Sequence, residues 1–251
     1  MNSTGTPHFL PGVPKDHVLA RLKVAGGKEL EGKFESPESS AALAVNTFGW
    51  FIGRANDLPP LPGMRSKDDP TCVEVEYCAR FPWRGGRHPW LDAIVETEHQ
   101  MIGVESKRFE PSRGHKAATF SKAYDRPVWG DHMSPYEAMR DALRSGEQRF
   151  ELLDAAQLVK HAFGLVTDAR RKAKTPSLVY LFAEPAAFGE HPIAPETFAT
   201  HRAEIVQFAK SVEGAEVTFH AISYREWLGT WPAPPDPAGL HRDAVMQHFQ
   251  P

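Results

Sequence analysis

Residues 90–109, with the sequence WLDAIVETEHQMIGVESKRF, constrain the fold more than any other part of the chain. Apolar and polar residues alternate on both sides of the polar tetrapeptide TEHQ, which predicts two β-strands joined by a tight turn. Folding about that turn places Asp92 directly across from Glu105, and Lys107 on the same strand face as Glu105. Like charges that face each other on a sheet are destabilising, so a nearby cation could compensate the two carboxylates.

The length of 251 residues and the 41% hydrophobic content are enough for a substantial core, and we expect one main domain. The longest apolar runs, such as residues 177–183, are too short to cross a bilayer, and the N-terminus lacks the features of a secretory signal. Strand geometry would hold Cys72 and Cys78 roughly 20 Å apart, too far for a disulfide. We therefore expect free thiols, a cytoplasmic location and no membrane association. The net charge of -3 argues against a protein coated in basic surface.

The remaining sequence predicts helices around a mixed sheet. Ser36 and Pro37 have the residue types of a helix start, and SPYE at residues 134–137 has those of a capping box. In chain order we expect a helix from Ser36 toward Gly49 or Gly53, a strand over 72–79, the hairpin, helices over 134–146 and 150–166, a buried strand over 178–183, a helix over 196–212, a strand over 216–222 and a tail helix over 241–249. This order indicates a mixed α/β (α+β) fold with the hairpin near the centre of the sheet.

Asp92, Glu105 and Lys107 have the residue types of a metal-dependent hydrolytic site. Two carboxylates at metal-binding distance hold a divalent ion, and an adjacent ammonium can position or polarise the attacking water. A site made only of oxygen ligands suits magnesium or manganese. A random Glu-x-Lys is usually the outward face of a strand, but here an acid on the neighbouring strand lies in the matching register.

These residues and the order of elements resemble the restriction-endonuclease-like superfamily, the PD-(D/E)XK nucleases. Its members carry an Asp at one end of a strand and Glu-x-Lys on the hairpin partner, in a core of helix, three-stranded meander, helix and strand. The resemblance covers Ser36 to roughly Ala183, leaves an extra C-terminal helix and strand outside that core, and places Leu91 where the name-giving proline would be. It implies that Asp92 and Glu105 are ligands of Mg²⁺ or Mn²⁺ and that Lys107 acts on the hydrolytic water.

Members of the superfamily often place an additional Glu at the metal, which makes Glu38, Glu76 and Glu96 candidates. Glu76 is the best placed and is our further metal ligand, because the alternation of residues 72–79 puts it on an acidic strand face beside the hairpin. A solvent-facing acidic stripe would explain Glu76 as well. Glu38 is equally explained as an acid in the first turn of a helix, and Glu96 as a solvated side chain.

Gln157 is a further catalytic candidate, since some nuclease families that this chain resembles carry a helix glutamine just beyond the active strands. It lies one helical turn from His161. A polar residue at the edge of the core, in contact with His161, is the alternative. His161 alone receives no role.

A basic segment, residues 107–126, follows the predicted catalytic strand. Its candidate nucleic-acid contacts are Arg108, Arg113, Lys116, Lys122 and Arg126. Basic side chains pair with phosphates, and the interleaved rings of Phe109, Phe120, Tyr124 and Trp129 could stack on unpaired bases. A solvated loop over a small aromatic core explains the same residues equally well.

We therefore expect a metal-dependent endo- or exonuclease that hydrolyses phosphodiester bonds in nucleic acid, with DNA favoured, by metal-activated water. The first alternative is a catalytically silent nucleic-acid-binding or assembly protein that retains the nuclease fold, and the second is an unrelated small-molecule hydrolase. The expected organisation is an N-terminal arm over residues 1–35, a single nuclease-like α/β domain over 36–228, and a proline-rich linker with a tail helix over 229–251.

Overall fold

Helices and strands follow one another along the chain in nearly the expected order. The computed structural model describes residues 8–25, 34, 36, 38–114 and 119–251. The helices are α1 (Lys15–Ala25), α2 (Ser40–Gly49), α3 (Ser134–Ser145), α4 (Ala155–Arg171), α5 (Pro195–Ser211), α6 (Tyr224–Leu228) and α7 (Pro237–Phe249). The strands are β1 (Cys72–Cys78), β2 (Trp90–Glu96), β3 (Gln100–Lys107), β4 (Thr175–Phe182), β5 (Ala187–Phe188), β6 (His191–Pro192) and β7 (Thr218–Ser223).

The longer strands form one mixed sheet in the order β1-β2-β3-β4-β7, while β5 and β6 form a separate small ladder. Strands β1, β2 and β3 are an antiparallel meander, and β4 and β7 extend the sheet in parallel. Parallel neighbours need crossover connections, which α3 and α4 supply before β4 and α5 supplies before β7. The predicted mixed sheet, with the meander and the extra C-terminal helix and strand, is confirmed.

The hairpin of β2 and β3 has the predicted register. Glu96 faces Met101, and the same ladder continued toward the open end sets Asp92 opposite Glu105. The hydroxyl of Thr97 accepts the backbone N–H groups two and three residues later, which closes the turn. A shift by one residue would send every apolar side chain of the hairpin to the other face, so burial fixes this register.

A separate apolar cluster covers each face of the sheet. Helices α1, α2, α6 and α7 pack into the first cluster, and α3, α4 and α5 pack into the second. Strand β4 lies between the clusters and is buried on both faces, as predicted. Val18 of α1 and Phe249 of α7 belong to the first cluster, so the predicted arm and tail share the core of the central domain. None of the described helices combines the length and apolarity that a membrane span requires.

Some helices begin later than predicted, because a different side chain caps them. The cap of α2 is Ser39, not Ser36, since the Ser39 hydroxyl accepts a backbone N–H of the first turn. The capping box predicted from Ser134 does not form, and no side chain caps α3. Helix α4 begins after Asp154, whose carboxylate accepts the N–H of Gln157. For α2 and α4 the observed start follows the side-chain hydrogen bond that satisfies a free N–H of the first turn.

Strand β1 changes its alternation at Glu76, where φ is 51°. Val75 packs in the first cluster and Tyr77 against the second, whereas strict alternation predicted one face for both. Arg21 of α1 donates to the carbonyl oxygens of Glu76 at 2.7 Å and Val75 at 3.2 Å. A positive φ costs a non-glycine residue roughly 1–3 kcal/mol and needs surrounding contacts to persist. Arg21 supplies such contacts.

Helix α4 approaches the end of β1 at Gly164. A Cβ atom at this position would lie 2.7 Å from the carbonyl oxygen of Ala79 and 2.7 Å from Cγ of Pro89. Real Cβ atoms do not come this close to backbone atoms, so the contact requires glycine.

Replacing Gly164 with alanine should lower the free energy of unfolding by about 1–3 kcal/mol, because the backbone of Ala79 cannot move aside as a flexible side chain could. Denaturant titration measures the change. Gly114→Ala is the matched control, since a Cβ there meets open space. It should change stability by less than about 0.5 kcal/mol. Equal losses in the two variants would contradict the close approach.

Candidate active site

The predicted catalytic side chains meet at the end of the sheet where β3 and β4 finish. Asp92 is the third residue of β2. Glu105 and Lys107 are the third-last and last residues of β3. Helix α4 packs across them and brings Gln157 and His161 to the same place. The carboxyl ends of parallel strands are the usual position for ligand sites in α/β sheets.

A cluster of charged groups forms around Glu105, whose side chain is 2% exposed. Its Oε1 lies 2.5 Å from Nζ of Lys107. Its Oε2 lies 3.1 Å from Nδ1 of His161. Lys107 also donates to Oε1 of Gln157 at 2.9 Å. The Glu105 carboxylate is therefore held between two basic side chains.

Asp92 faces this cluster, and no basic side chain in the described part of the chain forms a salt bridge with its carboxylate. Its Oδ2 accepts the backbone N–H of Ser106 at 2.7 Å, which fixes the carboxylate against β3. Beneath the strand, the hydroxyl of Ser106 is 2.7 Å from that of Tyr224. Asp92 keeps partial solvent exposure. It is thus the member of the cluster that an incoming ion can reach.

The pKa values of these groups move in different directions. Burial, followed by the negative charge of Glu105, raises the pKa of Asp92 well above its usual value. Burial would also raise the pKa of Glu105, but Lys107 and His161 outweigh it and lower that pKa to about 2. Burial opposes the charged form of Lys107, yet Glu105 and Asp92 hold its pKa above the usual value. At neutral pH Glu105 and Lys107 are therefore both charged, whereas burial and the neighbouring carboxylates oppose the ionisation of Asp92 more than Lys107 favours it.

The three candidate carboxylates beyond the hairpin pair have different surroundings. Glu76 is buried, and its negative charge is one of the causes that raise the pKa of Asp92. Glu38 pairs with Arg113 at 2.7 Å. Glu96 lies at the turn end of β2 and pairs with Lys172 and Lys174, so it is an ion-paired side chain and not a freely solvated one.

The donors fit a magnesium or manganese ion. Among residues 8–25, 34, 36, 38–114 and 119–251, no group of three or more His, Cys, Asp or Glu side chains is arranged as a complete metal site. Magnesium needs only one or two carboxylates, because waters and substrate phosphates complete its octahedron. Asp92 and Glu105 supply two hard oxygen donors across one hairpin, and the raised pKa of Asp92 indicates unrelieved negative charge. Each Glu105 oxygen makes one contact, with Lys107 or His161, and keeps a second lone pair with which it could bind the ion.

His161 is the site residue that the sequence did not reveal. It is 2% exposed and contacts the carboxylate of Glu105. Residues four apart share a helix face, so Gln157 and His161 had to point in one direction. That spacing was the available signal, but only the packing of α4 shows that the shared face meets β3.

The basic segment contributes fewer surface cations than predicted. Arg108 is 7% exposed and donates to the carbonyl oxygen of Phe249 at 2.6 Å, so its guanidinium anchors α7 inside the fold and does not face solvent. Arg113 is exposed and forms an ion pair with Glu38. Lys122 and Arg126 are exposed. Lys116 lies outside the described residues.

Of the four aromatic residues predicted to stack on bases, three are buried, and Phe120 is partly buried against Tyr124. Tyr124 and Trp129 belong to the second cluster, and the ring of Trp129 stacks on Phe163 with centroids 4.2 Å apart. Phe109 is buried as well. The structure therefore shows the small aromatic core that was the alternative explanation, and these rings do not form a stacking surface for bases.

Replacing Asp92 with asparagine should raise the free energy of unfolding at pH 7, without metal, by about 0.5–2 kcal/mol. The pKa of Asp92 is higher in the folded than in the unfolded protein, so ionisation of Asp92 opposes folding at every pH above the unfolded-state pKa. A neutral side chain removes this cost. Asparagine keeps an oxygen for the N–H of Ser106. Denaturant titration in a chelator measures the change.

Glu96→Gln is the matched control at the other end of the hairpin. Burial opposes ionisation there, but Lys172 and Lys174 lower the pKa of Glu96, so its charge favours folding. This variant should lose stability. A loss of stability in Asp92→Asn would mean that the protein itself compensates the Asp92 charge, which would remove the argument for a cation.

The comparisons with known proteins agree with this fold. A family model with the description Restriction Endonuclease associating with ARP matches residues 6–233. The matched part contains every strand of the sheet and helices α1 to α6. No curated protein and no solved structure matches the chain. The resemblance to the restriction-endonuclease-like superfamily is confirmed, and the chain belongs to the family of restriction endonucleases associating with ARP.

Proposed function

We propose that this protein is a metal-dependent nuclease that hydrolyses phosphodiester bonds in DNA. Membership of a restriction-endonuclease family indicates a function related to nucleic acid. The observation that carries the finer proposal is the convergence of Asp92, Glu105 and Lys107 on facing strands, where burial and Glu105 oppose the ionisation of Asp92. Two carboxylates and an ammonium in this arrangement suit the hydrolysis of a phosphodiester.

Asp92 and Glu105 are the residues that would hold Mg²⁺ or Mn²⁺, and Glu76 supplies a third carboxylate beside Asp92. A divalent cation bound there supplies positive charge for the scissile phosphate and lowers the pKa of a nearby water. The contact between Ser106 and Asp92 fixes one donor before binding. The contacts of Arg21 fix the backbone of Glu76, which carries the third.

Lys107 acts as a charged hydrogen-bond donor and not as a base. Its raised pKa keeps the ammonium protonated at neutral pH. An ammonium has three donors, and Glu105 and Gln157 take two of them. The third donor remains for the attacking water or for a phosphate oxygen. Gln157 is thus a positioning residue that directs the ammonium.

A protein partner is a second component of the proposal. The description of the family names an ARP with which the endonuclease associates, and this supports a nuclease that works within an assembly. The same description supports the alternative, a catalytically silent protein that binds nucleic acid or organises an assembly. The retention of Asp92, Glu105 and Lys107 favours activity.

Purified protein should cleave duplex DNA in Mg²⁺ or Mn²⁺ and not in a chelator. Asp92→Asn and Lys107→Met should each lower the cleavage rate roughly 10²- to 10⁴-fold, because each removes a group that acts at the phosphate. Gel analysis of plasmid and linear substrates measures the rate. Lys174→Met, at the opposite end of the hairpin, is the matched control and should retain activity.

Full cleavage by both Asp92→Asn and Lys107→Met would contradict the site. Binding of DNA without cleavage in any divalent metal would favour the catalytically silent alternative. Cleavage of RNA alone would contradict the proposed substrate and leave the site in place.

A further inference from the structure

The connection between β1 and β2, residues 79–89, leaves the sheet beside the proposed active site. Cys78 pairs with Trp90, so the connection begins and ends at the edge that carries Asp92, two residues further along β2. We call residues 79–89, with the sequence ARFPWRGGRHP, the arginine loop. At its tip, two arginines flank two consecutive glycines.

The neck of the arginine loop is rigidly held. The N–H of Ala79 donates to the carbonyl oxygen of Pro89 at 2.9 Å. From α4, Asp168 accepts the N–H of residue 80 at 2.9 Å, and Arg171 donates to the carbonyl oxygens of residues 80 and 81. Gly164 of α4 also allows the two ends of the loop, Ala79 and Pro89, to pack closely against the helix. The direction in which the loop leaves the sheet is therefore fixed.

The tip of the loop is cationic and open to solvent. Arg84, Gly85, Gly86 and Arg87 are all exposed. The two glycines have φ values of 79° and 81°, which lets the chain reverse between the arginines. Within the described part of the chain, neither Arg84 nor Arg87 forms an ion pair with a carboxylate. Both guanidinium groups are available to an anionic partner.

Trp83 brings a third cation, Arg126, close to the loop. Its ring packs on Phe81 with centroids 4.8 Å apart and on Trp129 at 5.4 Å, while the guanidinium of Arg126 lies 4.5 Å from its centroid. The indole is thus engaged by protein contacts and only partly exposed, so among the described residues of the loop no fully exposed aromatic ring accompanies the arginines. Single-stranded nucleic acid is bound largely by stacking on aromatic faces, whereas phosphate contacts need only cations. The surface therefore favours the backbone of a duplex.

We propose that Arg84, Arg87 and Arg126 bind the phosphate backbone of duplex DNA next to the scissile bond. This inference rests on the proposed nuclease function and names the form of its substrate. A planar guanidinium can bind a phosphate through two parallel hydrogen bonds. The hydrogen bonds of the neck fix where the loop leaves the sheet before binding, which lowers the entropic cost of ordering the loop on DNA.

The test is the affinity of the full-length protein for a fluorescein-labelled 30-base-pair duplex and for one of its strands, measured by anisotropy in a chelator from 50 to 200 mM KCl. A plot of log affinity against log salt concentration has a slope set by the number of phosphates contacted. The double variant Arg84→Ala with Arg87→Ala should weaken duplex binding and reduce the magnitude of the slope by about 2. An unchanged melting temperature would verify that the variant is folded.

Lys67→Ala with Lys210→Ala is the matched control, because it removes two exposed positive charges outside the arginine loop. This control should leave the slope within about 0.5 of the original value. Equal slopes for the arginine variant and the unaltered protein, or equal weakening by the lysine control, would overturn the arginine loop as a contact. A larger effect of the arginine variant on single strands than on the duplex would overturn the duplex as its ligand.

Binding and cleavage separate this inference from the proposed function. DNA binding that depends on the arginines but leads to no cleavage in any metal would contradict the nuclease and support the contact. If the double arginine variant cleaves DNA at an unchanged rate and binds it with unchanged affinity, the result would support the nuclease and contradict the contact. Absence of binding to any DNA by the unaltered protein would overturn both.

Discussion

The buried ion pair between Glu105 and Lys107 is the interaction on which the proposed site depends. Burial alone would favour the neutral form of each group, but at 2.5 Å each stabilises the charge of the other. Removing one partner of such a pair leaves an isolated buried charge, at a cost of about 3–5 kcal/mol. The pair therefore keeps a carboxylate and an ammonium ready at neutral pH. Asp92, across the hairpin, is left as the acid whose charge an added cation would relieve.

One face of α4 connects this ion pair to the rest of the molecule. Gln157, His161, Gly164, Asp168 and Arg171 follow one another at intervals of four, three, four and three residues, which places them along a single stripe of the helix. The first two contact the ion pair, the third allows close approach to the sheet, and the last two hold the neck of the arginine loop. A single helix thus orients both the chemistry and the neighbouring cationic surface.

The sequence was sufficient for the hairpin because its register is a local property. Period-two alternation and a short turn set Asp92 opposite Glu105, and a slip of one residue would expose the core. The rest depends on partners far away in the chain. Arg108 lies inside because it meets Phe249, 141 residues later, and no local pattern reveals that contact. The positive φ of Glu76 likewise depends on a helix that precedes the sheet, so alternation alone assigned its neighbours incorrectly.

The central claim is that Asp92 and Glu105 share a divalent cation, and an anomalous-diffraction measurement on crystals grown with Mn²⁺ tests it most directly. We expect one anomalous peak within about 2.0–2.3 Å of a carboxylate oxygen from each residue, with waters completing the coordination. The peak should be lost in crystals of Asp92→Asn. Crystals that contain Mn²⁺ at other positions, with no peak here and both Glu105 oxygens still against Lys107 and His161, would contradict the account.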